Sequence, residues 1–171
     1  IGLGGKALVR FNTKDFSQRE FSVENGKLAS NGIAALCNDH RDVLWLGNRK
    51  GLFRFDPDRD SFTAMPHTDG HNTSQDHPGV RALHEDREGR LWAYTRTGLE
   101  VLEKDRRSWR QVLPGAFDAM LGRTASVTVM ASDDHSLWLG SNQGLFRMEL
   151  DTSALELFTN DQGAIDSLSN T

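Results

Sequence analysis

The stretch VLWLGNRKGLFRFD, residues 43–56, decides the fold because the chain contains it three times in variant form. It returns as RLWAYTRTGLEVLE at residues 90–103 and as SLWLGSNQGLFRME at residues 136–149. A tryptophan, an aspartate before it and a glycine after it recur in register: Trp45, Trp92 and Trp138; Asp39, Asp86 and Asp133; Gly51, Gly98 and Gly144. The three tryptophans are 47 and 46 residues apart. A constant spacing of this length is typical of a repeat architecture.

Each repeat divides into four short strands separated by polar turns. In the first repeat the strands are IAALCND, VLWLG, GLFRFD and SFTAMP, and the other two repeats divide in the same way. The first strands, such as IAALC and VTVMA, are apolar at successive positions, so we expect burial on both faces. The last strands, such as WRQVL and LELF, alternate more, as an exposed sheet edge does. The pattern predicts an all-β fold built from β-propeller blades.

The repeats predict about three and a half four-stranded blades, arranged as a partial propeller or an open arc. The predicted divisions are the C-terminal part of a blade, three whole blades and the lead-in to another: residues 1–27, 28–74, 75–121, 122–163 and 164–171. The opening ALVRF matches GLFRF, so we expect a piece of a longer array. An arc leaves blade faces and strand edges exposed. A homodimer that completes a ring of about seven blades is one way to cover them.

Composition limits the function. The 171 residues are 37% hydrophobic and 26% charged, which is typical of a folded domain. The net charge of −4 gives no reason to expect nucleic acid as a partner. No apolar run approaches the roughly 20 residues that cross a bilayer, so we expect no membrane contact in this stretch. The single cysteine, Cys37, cannot form an internal disulfide and is predicted to be a small buried apolar residue, with a reactive or metal-binding thiol as the alternative.

The repeated pattern resembles the two-component regulator propeller repeats. The segments that carry the resemblance are DHRDVLWLGNRKGLFRFD, EDREGRLWAYTRTGLEVLE and SDDHSLWLGSNQGLFRMELD, and the second departs from it at AYT and LEVLE. The resemblance implies the periplasmic sensor region of an inner-membrane histidine kinase, hybrid two-component protein or diguanylate cyclase. It implies an unidentified small molecule or carbohydrate as ligand. Any kinase or cyclase activity would belong to the rest of the parent receptor.

The recurring residues are predicted to be structural. A tryptophan on a strand between two layers fills space, an aspartate caps a turn, and a glycine permits a tight turn. The alternatives are a tryptophan that stacks on sugar and a carboxylate that binds metal or acts in catalysis. Trp109 falls outside the register, on a predicted outer strand, and is a candidate aromatic contact for a partner.

Ligands of propellers usually meet the loops at one end of the central channel. The turns between second and third strands and the connectors between blades share that end. We expect the ligand-binding residues there: Arg49, Lys50, Arg96, Asn142 and Gln143 from the turns, with His67, His71 and His77 from the connector PHTDGHNTSQDHPG at residues 66–79. The spacing of these histidines and of Asp69 and Asp76 matches no established metal site, so we predict no metal or cofactor. A second connector, PGAFDAMLGRT at residues 114–124, predicts a short helical turn.

No catalytic triad, phosphate loop or nucleophile elbow stands out in the sequence, so no catalytic residues are predicted. The first interpretation is therefore a non-catalytic sensor region. A propeller scaffold for protein–protein interactions is an alternative, and a large apolar patch on one face would favour it. Part of a carbohydrate-active enzyme is another, and carboxylates clustered at the channel mouth would favour that.

Overall fold

The computed structural model describes residues 2–3, 7–67, 78–113 and 126–159, and within these ranges it contains strands and turns but no helix. The strands lie in four antiparallel sheets, which we number I to IV. Sheet I contains β1 (Gly2–Leu3), β2 (Ala7–Phe11) and β3 (Gln18–Ser22). Sheet II contains β4 (Ile33–Asn38), β5 (Leu44–Asn48), β6 (Gly51–Asp56) and β7 (Ser61–Ala64).

Sheets III and IV repeat the arrangement of sheet II. Sheet III contains β8 (Val80–Glu85), β9 (Leu91–Thr95), β10 (Gly98–Leu102) and β11 (Trp109–Val112). Sheet IV contains β12 (Val127–Ser132), β13 (Ser136–Ser141), β14 (Gly144–Glu149) and β15 (Leu155–Phe158). In each sheet the strands pair in chain order, so every sheet is a meander. The predicted all-β fold of four-stranded blades is confirmed.

Tight turns join the second and third strand of each four-stranded sheet, and a glycine opens the third strand. Gly51, Gly98 and Gly144 have φ of 128°, 116° and 145°, a region that side chains rarely adopt. At Gly144 an added Cβ would lie 2.4 Å from the carbonyl oxygen of Phe158 on the neighbouring strand. The recurring glycine is therefore required by backbone conformation, and at Gly144 also by the close approach of a strand.

The core lies between successive sheets in three clusters. The second strands are the most enclosed, and all five residues of β9 are buried. The first strands β4, β8 and β12 lie side by side along the inner edge of the arc. Residues alternate between half-buried and exposed along β4, and three residues of β12 are exposed.

The prediction that the first strands are buried on both faces holds for β8, where Ala82 packs towards sheet IV and Leu83 towards sheet II. It is wrong for β4 and β12, which are partly exposed on one face. Leu36, 41% exposed, pairs with Leu46 on the face towards sheet I, and Val129, 59% exposed, lies over Gly140 on the face of sheet IV that bears Trp138. Burial on both faces therefore requires a neighbouring sheet on either side. Among the described residues we find no helix with the length and apolar character needed to cross a membrane.

Candidate functional site

The antiparallel meander gives the array two different ends. The turns between second and third strands lie at the same end as the connectors that lead from one sheet to the next, and we call this the connector end. The turns between first and second strands and the outer hairpins lie at the opposite end. We call that end the aspartate end, because Asp39, Asp86 and Asp133 all lie there.

At the aspartate end each recurring aspartate is bonded to the tryptophan of its own sheet. The Trp45 Nε1–H donates to Asp39 Oδ2 at 2.9 Å, and the equivalent distances in sheets III and IV are 2.8 and 2.9 Å. The other oxygen of Asp39 accepts the backbone N–H groups of Arg41 and Val43 at 2.9 and 3.0 Å. The carboxylate therefore caps the turn and also fixes the indole ring.

These contacts set the ionisation of the aspartates. Burial by itself would raise the pKa of Asp39, but the bonds from Trp45, Val43 and Arg41 and the charge of Arg106 lower it below its ordinary value. The pKa of Asp86 is lowered in the same way, against burial, by Trp92 and Arg90. All three aspartates are carboxylates near neutral pH, since the bond from Trp138 lowers the pKa of Asp133.

Residues in the outer hairpins tie each sheet to the sheet before it. Arg106 has φ of 56° just before β11, and its guanidinium lies 3.2 Å from Asp39 of sheet II and also contacts Glu85. The same group lies 5.5 Å from the centre of the Trp45 ring. Asp60 holds the corresponding place before β7, with φ of 49°, and pairs with Arg10 and Arg19 of sheet I at 3.3 and 2.5 Å. In sheets II and III the left-handed residue at this position therefore contacts the preceding sheet.

The turn histidine of sheet II makes a second contact between sheets. His40 Nδ1 lies 2.8 Å from Glu85 Oε1, and its backbone N–H donates to the same carboxylate at 2.6 Å. Arg41 Nε–H donates to His40 Nε2 at 3.3 Å, so the neutral ring carries its proton on Nδ1. The ring packs against Gly89, where an added Cβ would lie 2.9 Å away. The aspartate end is therefore a continuous set of contacts that holds the sheets together.

The connector end carries the turn residues that the sequence predicts as ligand-binding. Arg49, Lys50 and Arg96 are exposed in the turns of sheets II and III, and Asn142 and Gln143 are exposed in the turn of sheet IV. Asn142 Oδ1 accepts the backbone N–H of Ser126 at 2.9 Å, where a connector enters sheet IV. The turns of three successive sheets therefore lie at one end, as expected. Their ligand-binding role stays a prediction.

His67 has a different setting from the other predicted ligand residues. Its side chain is 11% exposed, and Nε2 lies 3.0 Å from Glu100 Oε2 of sheet III. Glu100 is buried and also accepts the Thr97 hydroxyl at 2.7 Å, while the His67 ring lies 5.2 Å from that of Trp109. His67 thus anchors the start of the connector to sheet III. His71, His77, Asp69, Asp76 and the predicted helical turn at 114–124 lie outside the described residues.

Two other sequence candidates lie inside the array. Trp109 is 8% exposed, and its Nε1–H donates to the carbonyl oxygen of Pro66 at 3.1 Å, so it does not offer the exposed ring that the partner hypothesis needs. Cys37 is half-buried, and burial raises the pKa of its thiol, which disfavours the reactive thiolate. The part of the chain that the structure describes contains no group of three or more His, Cys, Asp or Glu placed to hold a metal.

The arrangement is similar to solved propeller structures. The extracellular domain of a hybrid two-component system from B. thetaiotaomicron matches 94% of this chain with a TM-score of 0.75 and 21% identity. The chain has a β-propeller fold. A second such domain from the same organism matches 89% of the chain with a TM-score of 0.66 and 17% identity. Streptogramin B lyase matches 91% with a TM-score of 0.61 and 14% identity.

These neighbours agree with the family resemblance of the repeat, and at such identities they show the fold. The chain spans 21% and 20% of the two extracellular domains and 48% of the lyase. No family model and no curated protein matches the sequence. The sequence repeat and the structure therefore both support the propeller architecture.

Sequence reasoning missed the residues that join the sheets. Arg106 and Asp60 belong to different residue types and lie in hairpins of different length, so they do not align with the recurring tryptophans. Their common feature is the left-handed backbone just before an outer strand. A polar residue placed one to three positions before each predicted outer strand is the signal that could have identified them.

Proposed function

We propose that this chain is part of the ligand-sensing, extracytoplasmic propeller of a bacterial two-component receptor, either a histidine kinase or a hybrid protein. The proposal is carried by the match of 94% of the chain to the extracellular domain of a hybrid two-component system. The repeat itself points to the same class of receptor. Two of the structural neighbours are extracellular domains, which favours an extracytoplasmic location.

The two ends of the array suit different tasks in such a receptor. The aspartate end is built from the same aspartate–tryptophan pair in each four-stranded sheet. The connector end carries turns that differ between sheets: NRK, RT and SNQ. Exposed guanidinium, ammonium and amide groups can hydrogen-bond sugar hydroxyls or pair with acidic groups. We assign ligand recognition to the connector end and structural cohesion to the aspartate end.

Signalling from such an array requires a difference in affinity. A ligand that bridges the turns of adjacent sheets would bind one arrangement of these sheets better than another. It could shift the equilibrium only by that difference in binding free energy. The contacts of Arg106 and His40 join sheets II and III at the aspartate end, so they would respond when a ligand at the connector end moves these two sheets relative to each other.

We infer no catalytic role for this region. The recurring carboxylates are engaged by tryptophan and backbone N–H groups, and their lowered pKa values disfavour general-acid chemistry near neutral pH. The lyase among the neighbours is a propeller enzyme, but at 14% identity it shares the fold alone. The alternative function is a scaffold for protein–protein interactions, and the experiment below distinguishes it from a ligand sensor.

The test uses the full receptor gene in its own bacterium. Target-gene transcription is measured across a panel of glycans for the wild type and for a triple variant, Arg49→Ala, Lys50→Ala and Arg96→Ala. A matched control removes three exposed cations from the aspartate end: Arg59→Ala, Lys104→Ala and Arg107→Ala. We expect a glycan response that the first variant loses and the control keeps. A receptor that is exposed to the cytoplasm, or a wild type without any response, would contradict the proposal.

A further inference from the structure

Each inner strand of sheets II to IV begins with a β-bulge at the connector end. The pairing of the first strand with the second shifts by one residue there, which leaves Ala34, Arg81 and Thr128 without a partner across the ladder. All three residues are exposed, although the strands that carry them lie side by side. A bulge bends the strand and re-aims the side chain that it carries. Each of these sheets therefore presents one bulged residue at the connector end.

Arg81 is the charged residue of this set. Its Nη1–H donates to the Ser126 hydroxyl at 3.2 Å, where the chain enters sheet IV. The Ser126 backbone N–H in turn donates to Asn142 Oδ1 at 2.9 Å. Sheet III has a sheet on either side, so Arg81 is exposed although both neighbours of its strand are in place. Within the described ranges its guanidinium pairs with no carboxylate, and it is therefore available to an anionic ligand.

A second cation lies beside the entry to the same strand. Gly79 comes two residues before Arg81, and a Cβ added there would lie 2.8 Å from the carbonyl oxygen of Arg49 and 2.9 Å from its Cα. A Cβ added at Gly32, just before β4, would lie 3.8 Å from Cδ of Arg49. Arg49 therefore lies between the entries to the inner strands of sheets II and III, and its backbone contacts the segment that leads to Arg81.

The turns at the two ends of sheets II to IV differ in charge. At the connector end the tight turns GNRKG, YTRTG and GSNQG and the strand entries NGIAA, PGVRA and SVTV contain four cations and no carboxylate: Arg49, Lys50, Arg81 and Arg96. The turns DHRD, EDREG and SDDHS at the aspartate end each contain two or three carboxylates. Glu100, the buried acid near the connector end of sheet III, is bonded to His67 and Thr97. The connector end therefore favours an anionic ligand over a neutral one.

We propose that the connector end binds an acidic saccharide, one that carries carboxylate or sulfate groups, and that Arg81 determines this specificity. The inference rests on the ligand-sensing function proposed above and names the class of ligand. A guanidinium presents a planar fork of donors that pairs with both oxygens of a carboxylate and suits other oxyanions. The Ser126 hydroxyl and the Asn142 amide beside it can bond to sugar hydroxyls. A neutral saccharide would gain nothing from the charge of Arg81 or Arg49.

The first test measures target-gene transcription by the full receptor in its own bacterium, with oligosaccharides paired so that the members differ only in charge. Uronate oligosaccharides are compared with their methyl esters, and sulfated galactan oligosaccharides with their desulfated forms. We expect a response to an acidic member that is lost when its charge is removed, and the responding pair identifies the anionic group. A response to neutral glycans alone would overturn this inference and leave the sensing function intact. A receptor that responds to no glycan contradicts the sensing function and this inference with it.

The second test assigns the specificity to Arg81. Arg81→Gln keeps a hydrogen-bond donor but removes the charge, and it should raise the half-maximal concentration of the acidic glycan about tenfold or more. Arg81→Lys keeps the charge without the fork of donors and should lie between this variant and the wild type. The control Arg107→Gln removes an exposed cation from the aspartate end of the same sheet and should respond like the wild type.

Immunoblotting of the membrane fraction compares the amounts of the variant receptors. Partial recovery in Arg81→Lys at an equal amount of receptor is expected for a contact with the ligand, and a merely structural role would not produce it. An Arg81→Gln receptor with the wild-type response to the acidic glycan would overturn the proposal. An Arg81→Lys receptor as impaired as Arg81→Gln would also overturn it.

Discussion

Sheets III and IV contain the same aspartate–tryptophan pair in two different environments. The Asp86–Trp92 and Asp133–Trp138 distances are 2.8 and 2.9 Å, and an arginine of each sheet lies 5.6 or 5.7 Å from the indole ring. The pairs differ in burial, since Trp92 is 2% exposed and Trp138 is half-buried. The comparison shows that each sheet forms the pair by itself, whereas the next sheet supplies the burial.

The same difference appears in the electrostatics. At Asp86 burial is the largest influence and opposes ionisation, and the bonds from Trp92 and Arg90 overcome it. At Asp133 the bond from Trp138 is the largest influence, and burial has a lesser part. The same aspartate–tryptophan pair is therefore buried in sheet III, where burial opposes ionisation of the aspartate, and open to solvent in sheet IV. Three matched pairs of substitutions and the dependence of stability on pH test whether this difference controls stability.

The largest expected effect is the loss of an enclosed indole. Trp92→Ala should lower the free energy of unfolding by about 3–5 kcal/mol, because it leaves a cavity between sheets III and IV. Trp138→Ala removes the same side chain from an open face, and it should cost roughly half as much. Urea unfolding followed by circular dichroism measures both. Equal costs would show that burial by the next sheet does not distinguish the two positions.

A smaller effect is expected from the arginine that joins two sheets. Arg106→Ala leaves Asp39 and Glu85 without their shared cation, and the cost should be about 2–3 kcal/mol, below the ~3–5 kcal/mol of a fully buried pair. Arg147→Ala, on the open face, should cost less than about 1 kcal/mol. The same urea titrations measure the two variants. The reverse order would contradict the role given to Arg106.

The aspartates themselves should follow the same order. Asp86→Asn turns one acceptor oxygen into a donor that faces Trp92 and Arg90, and it should cost about 1.5–2 kcal/mol. Asp133→Asn should cost less than about 1 kcal/mol, because water can satisfy the groups that lose their partner. Thermal unfolding of the two variants at neutral pH makes the comparison. A larger cost at Asp133 would contradict the account.

The smallest effect is a dependence of stability on pH. The pKa values of Asp39, Asp86 and Asp133 are lower in the folded chain than the value of about 3.9 in unfolded chains. Their contribution to stability is therefore complete well above pH 4 and is lost as the pH falls through the folded pKa values. The urea concentration at the unfolding midpoint should decrease as the pH is lowered from about 5 to about 3. Asp86→Asn should make the stability depend less on pH. A variant with the same pH dependence as the wild type would contradict the contribution given to Asp86.

Much of the fold could be predicted from the sequence, because the information is local and repeated. Each tryptophan lies five or six residues after an aspartate and six residues before a glycine, and that spacing is enough to divide the chain into strands and turns. The burial of β4 could not be predicted in this way. One face of its apolar run IAALC is directed towards sheet I, and the exposure of that face depends on how completely the neighbouring sheet covers it.

The candidate site was less accessible to sequence reasoning. The turns that carry Arg49, Arg96 and Asn142 lie at one end because the strands form a meander, and strand order predicts that. The sequence does not reveal that His67 is bonded to Glu100, because the two residues are 33 positions apart and meet only through packing. The same holds for Arg106 and Asp39, which are 67 positions apart.

The most direct test of the account is hydrogen exchange of the indole N–H groups, followed by NMR of the ¹⁵N-labelled chain. We expect Trp45 and Trp92, which are 1% and 2% exposed, to be strongly protected. Trp138 is half-buried and should exchange faster than either. Protection of Trp138 equal to that of Trp92 would contradict the claim that a neighbouring sheet supplies the burial.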